Sequence, residues 1–93
     1  MRRYEPEYLK ATKNHSEQCT LIAMEECGEL IQAISKAKRG KLDKDKLTEE
    51  IADVFISIHW LQKIYNITMR DIYEWVDIKE ERILDRLEKG EFK

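Results

Sequence analysis

Apolar residues recur every three to four positions through most of the chain, the spacing of one helical face. Over 16–38, Ala23, Cys27, Leu30, Ile34 and Ala37 fall on one such face and predict a first long helix. Gly40 stands where a glycine ends a helix in the left-handed conformation. The segment GKLDKD, 40–45, reads as a connection, and Asp43 or Asp45 is placed to cap the next helix. This second long helix is expected over 46–65. Its main apolar stripe is Ile51, Val54, Phe55, Ile58, Leu61 and Tyr65, with Ile56, Trp60 and Ile64 beside it. A helix apolar on most sides is buried on most sides. In so short a chain, part of that burial is expected against another subunit.

Asn66 reads as the stop of the second helix. Thr68 with Asp71 three residues on resembles a capping box. A third long helix then runs to about residue 89, with Met69, Ile72, Val76, Ile83 and Leu87 expected to face the core and Gly90 after it. A short leading helix is expected over 4–13, with Pro6 in its first turn, where proline is tolerated. Short connections make the first two long helices antiparallel neighbours. The expected fold is all-α: a small antiparallel bundle of three main helices plus a short N-terminal one, in a single domain over 1–93.

Length and charge narrow the picture. A chain of 93 residues buries only about 60–65% of the surface its unfolded form exposes, so the core is thin. The net charge of −2 excludes a strong basic excess, and a nucleic-acid polymer is not the expected partner. Lys36, Lys38, Arg39 and Lys41 form a local basic cluster. It suits either the negative end of a helix dipole or an anionic ligand. Cys19 and Cys27 on one helix would stand about 12 Å apart along its axis, beyond the roughly 7 Å reach of a disulfide. Free cysteines fit a reducing compartment. No signal-peptide h-region and no run of 18 apolar residues is present. The expectation is a cytoplasmic protein with no membrane partner.

Candidate chemistry lies in the acids. AMEECGEL, 23–30, carries Glu25, Glu26 and Glu29 inside an otherwise core-like helix, and EEIADVFISI carries Glu50 and Asp53 inside another. Residues three apart share a helix face, so Glu26 pairs with Glu29 and Glu50 with Asp53. Antiparallel packing can bring the two pairs face to face. Such a gathering is costly. At an effective dielectric of about 20, two like charges about 4 Å apart repel by about 4 kcal/mol. Either protons or a cation must neutralise it. Oxygen ligands without His or Cys point to a hard divalent ion, Mg²⁺ with Mn²⁺ as a substitute. The competing reading is that glutamates at this spacing simply line a solvated face. Asp53 within IADVFISI argues against it, since a solvated acid has little place there.

EECGE at 25–29 followed by EIAD at 50–53 resembles the EExxE…ExxD signature of the MazG-like all-α nucleoside triphosphate pyrophosphohydrolases. The likeness covers roughly residues 16–89. It implies Mg²⁺-dependent cleavage of an NTP or dNTP to the monophosphate and pyrophosphate, as pool control or house-cleaning. It also implies a homodimer or homotetramer, with bundles completed by oligomerisation into four-helix-bundle-like cores. Glu26, Glu29, Glu50 and Asp53 match the metal-ligand positions. Glu25 matches the first glutamate of the signature and is assigned a supporting or water-activating role. By the same resemblance, Lys79 is a candidate phosphate contact, with Arg82 and Arg86 competing as the second. The asparagine that usually separates these cations is absent.

Trp60, two turns after Asp53, is a candidate to stack on a base, or to fill the core. Gln18 and His15 precede Glu26 by up to three turns and border the same expected pocket. A phosphoribosyl-ATP pyrophosphohydrolase is the near alternative. Met24 rather than a lysine before the paired glutamates, and no Tyr-His pair after Asp53, count against it. A non-catalytic helical interaction module is the alternative from another class.

Overall fold

The computed structural model describes residues 5–91. Four helices make up the described chain, and the fold is all-α: α1 Glu5–Asn14, α2 Ser16–Lys38, α3 Lys44–Tyr65 and α4 Met69–Glu88. Tyr4, where the leading helix was expected to begin, lies outside the described residues.

The helix ends follow local chemistry. α2 stops at a Schellman turn: Lys41 N–H donates to Lys36 O at 2.9 Å and Gly40 N–H to Ala37 O at 3.1 Å. Gly40 adopts φ +82°, which a side chain would disfavour. Asp43 caps α3 by accepting from Lys46 N–H at 3.0 Å, which draws the helix start back to Lys44. Asn66, at φ 54°, ends α3 in the left-handed region. Thr68 and Asp71 close a full capping box on α4, with reciprocal bonds of 3.1 and 3.0 Å. Those bonds hold the Asp71 carboxyl below its ordinary range, the Thr68 backbone donor contributing most.

α2 and α3 pack along each other, and the short connection 39–43 makes them antiparallel. α1 lies across both. It is held by an ion pair from Glu5 to Lys63 and by the edge of Tyr8 against Trp60, centroids 6.4 Å apart. Thr12 is buried in α1 and returns its hydroxyl to Tyr8 O at 2.9 Å.

Two expectations are corrected. The facing surfaces of α2 and α3 are not the greasiest ones. α2 turns Cys19, Ala23, Glu26, Leu30, Ala33 and Ala37 inward and leaves Cys27 and Ile34 exposed. α3 turns Glu50, Val54, Ser57 and Leu61 inward and leaves Ile51, Phe55, Ile58 and Tyr65 exposed. Small residues at the α2 face let the backbones approach, and the bulky stripes are left outside. Secondly, α4 packs on none of the other helices. Val76, Ile83 and Leu87 therefore face no core within the chain, and Met69 and Ile72, half-buried, only border a hollow with Phe55 and Ile58 of α3. The first turn of α4 touches α3 through Gln62 and the Met69 sulfur. The radius of gyration is 16.3 Å, against about 12 Å for a compact domain of this length.

Candidate metal centre

The α2–α3 hairpin sets Glu26 against Asp53 and Glu29 against Glu50. Carboxylate oxygens of Glu26, Glu29 and Glu50 lie within 4.8 Å of one another, and a second group of the same spread joins Glu49, Glu50 and Asp53. Glu50 belongs to both and is 1% exposed. Its Oε1 accepts from Lys46 Nζ at 2.9 Å. Its Oε2 and Glu26 Oε2 are buried with no hydrogen-bond partner.

The electrostatics record the crowding. The Glu26 carboxyl is held above its ordinary range, first by loss of water and then by repulsion from Asp53 and Glu29. Glu29 is raised by its close contact with the Glu50 carboxyl, as a proton-sharing neighbour and as a like charge. Lys46 is raised by its bonds to Glu50 and Glu49. A proton or a cation would satisfy the bare oxygens equally well. With oxygen donors converging from two rigid helices, the arrangement fits a hard divalent ion.

The other candidate residues scatter. Glu25 is exposed and joins neither acidic group. Trp60 is half-buried between α3 and α1, with its indole nitrogen unpartnered. His15 and Gln18 line a shallow hollow with Asn14, Ser16, Glu17 and Leu21 at the α1–α2 junction. Lys79 lies over the Trp75 ring, 6.0 Å from its centroid. With Arg82 and Arg86 it sits on α4, away from the cluster of its own chain. Glu49 and Lys46 were not singled out in the sequence. Their signal was the i, i+4 spacing of Lys46 to Glu50 and of Glu49 to Asp53, which is ordinary on solvated helices.

The family model for the MazG nucleotide pyrophosphohydrolase domain matches residues 14–82, most of the chain. The chain belongs to the MazG family. No curated protein and no solved structure gives a match. The matched MazG region takes in α2, α3 and their acids, and runs along α4 as far as Arg82. Arg86 lies beyond it. At family level the protein is a nucleotide hydrolase; the family typically uses a divalent metal, and the acidic cluster supplies donors of the kind that chemistry needs. No described helix is long and apolar enough to cross a membrane.

Proposed function

We propose that the protein is a Mg²⁺-dependent pyrophosphohydrolase of nucleoside triphosphates, releasing the monophosphate and pyrophosphate in nucleotide-pool control or house-cleaning. One observation carries the reading: Glu26, Glu29 and Glu50 converge within 4.8 Å, with buried oxygens left bare, inside a MazG domain. Glu26, Glu29, Glu50 and Asp53 would hold the ion, with Mn²⁺ as a substitute. When bound, it would neutralise charge on the phosphate oxygens during in-line displacement. A carboxylate not engaged by the ion would accept a proton from the attacking water, and Glu49, grouped with Glu50 and Asp53, is the candidate. Glu25 would act from outside the cluster.

The substrate is held by more than the acids. Lys36 and Lys46 border a cavity of about 250 Å³ that opens beside Glu29 and Glu50. Lys79, Arg82 and Arg86 would approach the phosphates from α4, and Trp60, Gln18 and His15 would border the base. Because α4 stands off its own hairpin, a second copy of the chain is the natural cover for these faces.

The test is pyrophosphate release from a panel of NTPs, dNTPs and phosphoribosyl-ATP, with Mg²⁺, Mn²⁺ or EDTA. Release should need the metal and fall at least about 100-fold in Asp53→Asn. Phosphoribosyl-ATP as the best substrate would reassign the protein within its superfamily. No release from any nucleotide by folded protein would leave a helical interaction module.

A further inference from the structure

The acidic cluster carries a cation of its own. Lys46 Nζ lies 2.9 Å from Glu50 Oε1 and 3.1 Å from Glu49 Oε1. Its backbone is fixed too, because Lys46 N–H donates to Asp43 at the helix cap. The ammonium is thus tethered one turn before Glu50, at the edge of the cluster. Glu50 is almost fully buried, with one oxygen on Lys46 and the other without a partner. A carboxylate oxygen of Glu50 lies within 4.8 Å of oxygens of Glu26 and Glu29.

We propose that Lys46 is the resident counter-ion of this centre: it neutralises Glu50 in the metal-free protein and yields when a divalent cation arrives. The inference rests on reading the cluster as a metal centre. Its physical ground is competition. An ammonium and a divalent ion both draw on the Glu50 carboxylate, and they repel each other across a few ångströms of partly dry space. The divalent ion gathers several carboxylates at once, so it takes the stronger hold. Lys46 can leave at little cost, since its side chain is 58% exposed and its stem is flexible. The cavity lined by Gln32, Ala33 and Lys36 gives the released ammonium room.

A binding measurement with Mg²⁺ alone tests this without any turnover. Calorimetric titration and metal-free melting are compared for the wild type, Lys46→Met and Lys46→Arg. Lys46→Met should bind Mg²⁺ about three- to tenfold more tightly, the net reach of one ordinary hydrogen bond at about tenfold per 1.4 kcal/mol. Without metal it should melt below the wild type. Lys46→Arg should stay near the wild type in both. A merely structural lysine would lower melting and leave affinity unchanged or weaker, and that outcome overturns the proposal.

A second measurement needs no variant. Acylation of wild-type amines, read residue by residue by mass spectrometry, should be faster at Lys46 in Mg²⁺ than in EDTA. Equal rates overturn the proposal. A wild type that binds no Mg²⁺ removes the metal-centre reading and this inference together. Binding without any change at Lys46 removes the inference alone.

Discussion

Without metal, Glu26 and Glu29 hold protons more tightly than they would in an unfolded chain. Folding therefore takes up protons above the ordinary carboxylate value of 4.5, and these two groups make stability fall as pH rises from that value. In EDTA, these two groups should make the melting temperature higher near about pH 4.5 than near about pH 7.5. Saturating Mg²⁺ should flatten or reverse the trend, because protons then compete with the ion. A metal-free melting temperature that climbs with pH across this range would refute the account. Asp71 works in the opposite sense, but its depressed carboxyl loses its contribution only at lower pH, below 3.8. The acid spacing was legible in the sequence because helical pitch alone fixes which carboxylates share a face. Lys46 was not, since a lysine four residues before a glutamate is commonplace. It matters only once Glu50 is known to be buried.

At the scale of the elements, capping chemistry made the boundaries legible. Asp43, Gly40, Asn66 and Thr68 each sit where their side chain or backbone freedom stops or starts a helix. The packed faces were not legible. Ile51, Phe55 and Ile58 form a more hydrophobic stripe than Glu50 and Ser57, yet the latter pair is buried and the former exposed. Periodicity finds the stripes of a helix, but not which stripe meets a neighbour in the same chain. α4 shows the consequence. With no helix packed along it, it leans on its cap more than α2 or α3 do. Thr68→Ala should cost about 1 kcal/mol and fray the start of α4 while α2 and α3 hold. Hydrogen exchange should show faster amides from Met69 to about Ile72 and little change elsewhere. Uniform loss across all helices would mean that α4 is coupled to the rest.

For the whole molecule, the relevant quantity is surface. The chain exposes 7882 Å², against about 5,700 Å² for a compact monomer of 11.2 kDa. The excess exceeds the roughly 800 Å² that each partner of a stable dimer buries. Phe55, 55% exposed on α3, and Trp75, 59% exposed on α4, belong to that surplus. A thin core was foreseeable from length and a surplus on α3 from its apolar residues on most sides, but the surplus on α4, expected to face the core, was not. Phe55→Asp should shift light scattering toward the monomer while far-ultraviolet dichroism stays helical, because Phe55 is more than half exposed and is not one of the chain's buried residues. A wild type that is monomeric at high concentration would refute a second copy as the cover. An oligomer untouched by the substitution would move the interface off this face of α3.

Both halves of the acidic cluster lie in one hairpin closed by the turn at Gly40. Closing so short a loop costs little entropy, and local helical contacts form quickly. Local pairing of this kind favours bringing the carboxylates together early in folding. The repulsion between them belongs to the route into the fold as much as to its end. A cation present from the start would lower the barrier as well as the final state.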